Sequence, residues 1–111
     1  MPKRDPDLLL EDIRTALARI GRYTSEMQRE QFLVDEKTID AVVRNLEIIG
    51  EAVRWLPDDF KLQHGAVPWG RVAGLRNRIV HDYFGLDLEI IWQVLQSSLR
   101  EFEQRLDQIK Q

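Results

Sequence analysis

Arg76, Asn77, His81 and Tyr83 fall within eight residues, and their side chains suit phosphodiester chemistry. Arg76 offers a planar, permanently charged fork that fits a phosphate. A histidine such as His81 can take or give a proton near neutral pH, because an imidazole titrates at about 6.5. Asn77, four residues before His81, can orient the imidazole or reach a phosphate oxygen. Tyr83 adds a hydroxyl donor, a stacking ring or a nucleophile that another enzyme could modify. These parts can cleave RNA without a metal: a base removes the 2′-hydroxyl proton, the oxygen attacks the adjacent phosphorus, and an arginine stabilises the developing charge. Structural roles compete with this reading. His81 and Tyr83 could be a hydrogen-bonded pair, and Arg76 could pair with Asp82 or Asp87.

On an ideal helix at 100° per residue, with Arg76 at zero, Asn77 lies at about 100°, His81 at about 140° and Tyr83 at about -20°. Val72, Leu75 and Ile79 fall at about -40°, -100° and -60°. The polar arc would then border the apolar face at the rim of a groove. Fraying at Val80 or His81 would void these angles.

The elements that must carry the arc are helical. Leu9, Leu10, Ile13, Ala16, Leu17 and Ile20 have the three-and-four spacing of one buried helix face. Asp5 or Asp7 can cap that helix, Pro6 suits its first turn, and Gly21 can loosen or end it. Thr24 to Val34 reads as a short helix or turn anchored by Phe32 and Leu33. Asp35 or Thr38 opens a second long helix with Ile39, Val42, Val43, Leu46, Ile49, Val53 and Leu56 on one face. Pro57 stops it. Gly50, inside this pattern, marks a close helix approach.

Pro57 to Pro68 reads as a loop. Pro68 opens a helix with Val72, Leu75 and Ile79, expected to end near Gly85. Asp87 is the expected cap of a last helix of about 22 residues, bearing Leu88, Ile91, Leu95, Leu99, Phe102, Leu106 and Ile109. Its near-heptad stripe could face its own bundle or a second copy. No strand alternation with hairpin signals competes. The expected fold is all-α: one domain over residues 1–111, an antiparallel bundle of four to five helices.

Composition removes other classes. Of 111 residues, 43% are hydrophobic and 32% charged, too apolar for a disordered chain. With no cysteine, disulfide, Cys-zinc and thiol chemistry are excluded. His64 and His81 share no metal-ligand spacing, Asp58 and Asp59 have no third acid nearby, and no metal or other cofactor is expected. His64 is expected at the surface, and Trp55, Trp69 and Trp92 as core or interface anchors. The first apolar run, Leu8 to Leu10, is too short for a secretory or membrane segment, so a soluble cytoplasmic protein with no membrane partner is expected. The net charge of -3 argues against a broad nucleic-acid surface. Residues 54–81, however, hold Arg54, Lys61, Arg71, Arg76 and Arg78 against Asp58 and Asp59, a net of +3, leaving -6 elsewhere. RNA binding would thus be confined to a narrow site.

The segment from Pro68 through Gly85 resembles the signature of HepT-like proteins of the HEPN superfamily, whose motif is an arginine, four to six residues, a histidine, any residue and a tyrosine. Arg76, His81 and Tyr83 match it, and Asn77 matches the polar residue that follows the arginine. Asn45 to Ala52 and Asp87 to Trp92 also look like family segments. The resemblance implies a HEPN-like homodimer whose motif regions face one cleft, and a metal-independent RNase toxin acting on tRNA or mRNA. It implies Arg76 and His81 as catalytic residues, with Asn77 and Arg78 supporting the RNA phosphate. It further implies an MntA-type minimal nucleotidyltransferase antitoxin that neutralises the toxin by AMPylation of Tyr83. A non-catalytic nucleotide- or partner-binding module associated with a nucleotidyltransferase is the alternative, and a purely structural dimeric bundle is a third.

Overall fold

The computed structural model describes residues 5–81 and 85–109. Helix α1 spans Pro6–Thr24. The Asp5 carboxylate accepts the Asp7 amide at 2.8 Å and caps it, with proline in the first turn. The helix continues past Gly21 to Thr24, with Leu17 and Ile20 buried on its core face. The uncertain stretch that follows contains α2, Arg29–Leu33, anchored by the fully buried Phe32.

Helix α3 spans Glu36–Trp55, capped by the Asp35 carboxylate on the Thr38 amide at 3.1 Å. The end of α1 and the start of α3 line one hollow, so the two helices are antiparallel neighbours. Their interface includes Ile13, Val42 and Ile49, all fully buried. Asn45 is the buried polar residue of α3: its Nδ2 donates to Ala41 O at 2.8 Å, and its Oδ1 has no partner among the described residues. Leu56 faces the core at the helix end, which leaves Trp55 turned outward, 42% exposed, its Nε1 donating to Glu51 Oε1 at 3.0 Å. Of the core and interface roles expected for Trp55, its exposure removes the one in this chain's own core.

The stretch expected as a loop holds helix α4, Asp58–Gln63. Pro57 restarts the chain at a helix N-terminus, and Lys61 Nζ donates back to Val53 O at 3.2 Å. The single helix expected from Pro68 towards Gly85 is two short ones, α5 (Trp69–Ala73) and α6 (Leu75–Ile79). Apolar spacing carries across the break, but Gly74 ends α5, its N–H donating to Gly70 O. After Ile79 the chain extends into a two-residue strand, β1 (Val80–His81), paired antiparallel with β2 (Gly85–Leu86). Strands this short carry no alternation to read.

The last helix begins at Leu88, with the Asp87 carboxylate accepting the Ile90 amide at 3.1 Å. It comprises α7 (Leu88–Gln93), a π-helical turn at Val94–Ser98, and α8 (Leu99–Asp107). Ile91, Leu95, Leu99, Phe102, Leu106 and Ile109 are all buried in the chain's own core. Of the two partners open to that stripe, the structure selects its own bundle. Phe102 meets the Trp69 ring edge-on at 6.1 Å, and Phe32 meets Trp92 at 5.4 Å. The fold is all-α: α1, α3 and the last helix carry the core, and the short helices close it. No helix among the described residues is long and apolar enough to cross a membrane.

At Gly50 the backbone of α5 lies close. A Cβ built there meets Val72 O at 3.8 Å and Ala73 O at 3.9 Å. A methyl group fits here in ordinary van der Waals contact, beside a hollow of about 170 Å3 lined by Leu46, Arg54 and Val72. Gly50→Ala is expected to hold or raise stability by up to about 1 kcal/mol through helix propensity. Urea denaturation of the variant checks the sign.

Candidate functional site

Two devices carry the motif residues. Helix α6, seated behind α5, holds Arg76, Asn77 and Arg78; strand β1 holds His81. The Asn77 amide donates to Gly74 O at 3.1 Å, so the break that ends α5 also starts the turn bearing Asn77. Asn77 and Arg78 are exposed. Arg78 borders a crease with Arg71, Leu75, Leu99 and Glu101, where α5 and α6 meet the last helix. Tyr83 lies outside the described residues, as does Asp82, proposed above as a partner of Arg76.

The single-helix geometry is corrected. His81 stands on a strand opposite Gly85, so the 100° rule stops applying after Ile79. Arg76 and His81 come from different elements, a helix and the strand that directly follows it. Gly85 makes the return possible: its φ is +79°, a left-handed conformation that costs an L-residue about 1–2 kcal/mol. Asp87, two residues on, caps α7 and is engaged there.

The electrostatics differ from the count along the chain. Arg54 pairs with Glu51 at 3.6 Å, Lys61 with Asp58 at 3.9 Å, and Arg71 with Glu101 at 3.9 Å. Glu51, one turn before Arg54 on α3, and Glu101, on the last helix, lie outside the basic window in sequence yet beside it in space, so its +3 is partly balanced. Arg78 makes no ion pair among the described residues and remains available to an anion. No group of three or more His, Cys, Asp or Glu among the described residues could hold a metal. The larger hollows lie elsewhere, at the α1–α3 corner (about 800 Å3) and between α1 and the π turn (about 680 Å3). Half-buried His64 packs its ring 4.7 Å from Phe60.

The chain is a small helical bundle in which α6 carries Arg76 and the strand that follows carries His81. Residues 13–109 match the model described as Ribonuclease HepT-like, and the chain belongs to that family of RNA-cleaving enzymes. It is 38% identical to the probable ribonuclease HepT of Thermococcus cleftensis, over 97% of this chain and 98% of the relative. It is 40% identical to a Methanocaldococcus jannaschii protein with an RNase name, over 99% of this chain and 94% of the relative. Over a shorter stretch, 36% of this chain and 30% of the relative, it is 50% identical to the mRNA nuclease HepT of Shewanella oneidensis. No solved structure matches.

Gly85→Ala is expected to destabilise the protein by about 1–2 kcal/mol, the cost of a Cβ at positive φ. Gly70→Ala is the control, since a Cβ there meets nothing within 4 Å and its backbone φ is not positive. The difference in urea midpoints between the two variants checks the assignment to backbone conformation.

Proposed function

We propose that this chain is a metal-independent endoribonuclease toxin that cleaves RNA at a cleft shared by two copies. The observation that carries the reading is the family match over residues 13–109, with Arg76 and His81 at the helix-to-strand turn. His81 acts as base on the 2′-hydroxyl. The freed oxygen attacks the neighbouring phosphorus, Arg76 stabilises the charge on the phosphoryl oxygens, and the 5′-oxygen leaves, taking a proton from water, to give a 2′,3′-cyclic phosphate. Asn77 and Arg78 hold the flanking phosphate, for which their exposure leaves them available. A two-fold dimer would place two such sets around one backbone.

Tyr83 is the proposed acceptor of AMP from an MntA-type nucleotidyltransferase antitoxin. Its phenolic oxygen attacks the α-phosphorus of ATP and pyrophosphate leaves. The product places a bulky anion beside the motif, where it competes with RNA phosphate by charge and occupancy.

Purified protein is expected to cleave tRNA or mRNA with EDTA present. His81→Ala and Arg76→Ala are each expected to lose about a hundredfold or more in rate, read by gel electrophoresis of the products. RNA left intact by the unmodified dimer, with tight binding of AMP or ATP, would instead support a nucleotide-binding module. Co-expression with the nucleotidyltransferase is expected to add AMP mass to the wild type and none to Tyr83→Phe, read by intact mass spectrometry.

A further inference from the structure

Two contacts pin α2 to α7. The fully buried Phe32 packs its ring at a tilt against that of Trp92. Beside it, Arg29 Nε donates to Glu89 Oε2 at 3.0 Å and Arg29 Nη2 donates to Glu89 Oε1, a two-point fork between residues sixty positions apart. Arg29 also reaches Glu30 at 3.4 Å. Glu89 stands in the first turn of α7, two residues after its cap Asp87. Asp87 follows directly on β2, whose Gly85 pairs with His81 and whose Leu86 pairs with Val80. A short covalent and hydrogen-bonded path therefore runs from Arg29 through Glu89, the capped turn and β2 to His81.

We infer that Arg29 and Glu89 are positioning residues for His81, holding the start of α7 and, through β2, the strand that carries the histidine. The inference rests on the RNA-cleavage reading above. The fork is half exposed, at 45% and 49%, and exposed pairs contribute little to global stability. Its planar two-point geometry fixes orientation as well as distance. A misplacement of about 1 Å at a reacting group can cost a hundredfold in rate, so a contact with little weight in folding can still matter at the site. The rival role for Arg29 is a direct RNA phosphate contact, and Glu89 separates the two: releasing Arg29 from its carboxylate would then strengthen RNA binding.

The test uses the full chain with Arg29→Gln, Glu89→Gln, the double variant and Arg29→Lys, on a single-stranded RNA oligonucleotide. Each Gln single is expected to lower kcat about tenfold with KM within about twofold. The double is expected to fall no further, since the two act as one unit, and Arg29→Lys recovers part of the loss. Amide resonances of Val80, His81, Gly85 and Leu86 are expected to shift in all Gln variants, while those of Ile49 and Val53 stay. A raised KM in Arg29→Gln with a lowered KM in Glu89→Gln overturns the inference and makes Arg29 an RNA contact. Unchanged kcat, or unchanged hairpin resonances, also overturns it. A wild type that cuts no RNA defeats the RNA-cleavage reading separately, and the resonances then decide the fork alone.

Discussion

The backbone of α5 comes against α3 at Gly50, and the placement of the motif follows from that approach. The carbonyls of Val72 and Ala73 stand in ordinary contact range of a Cβ built at Gly50. With α5 held there, Trp69 is buried between Phe60 and Phe102, and Val72 and Leu75 enter the core. Gly74 then ends α5, and α6 starts in a direction that presents Asn77 and Arg78 to solvent. The polar turn thus inherits its position from an apolar contact one helix earlier.

A bundle with three long helices has little interior, and aromatic rings tie the short helices to it. Trp69 joins α5 to α8, and Phe32 joins α2 to α7. Such ring pairs add about 0.5–1.5 kcal/mol each beyond burial. The pairs Arg54–Glu51 and Arg71–Glu101 are exposed and contribute about 0–1 kcal/mol. Their larger effect is on local charge, drawing acidic groups onto a stretch that looks basic when counted along the chain.

The long helices were legible because cap, apolar spacing and stop agree: Asp5 with Pro6 for α1, Asp35 with Pro57 for α3, Asp87 for the last helix. The break at Gly74 was not, because Val72, Leu75 and Ile79 keep a helical spacing across it. Nor was the β1–β2 hairpin, since two residues per strand leave no period and the signal reduces to Gly85. The motif residues could be named from type and spacing alone. Their arrangement could not, since His81 leaves the helix that carries Arg76. The Arg29–Glu89 fork had no local signal at all, because its partners meet only after α2 and α7 pack.

The π turn at Val94–Ser98 has a consequence for the last helix. The Leu99 amide returns to Val94 O, five residues back, and both side chains are buried. Wide turns of this kind take up a surplus residue inside an otherwise α-helical rod. Length and facing are therefore separable here. The chain carries one residue more than a regular turn would hold, and the surplus becomes local girth instead of a rotation that would swing Phe102 and Leu106 off the core.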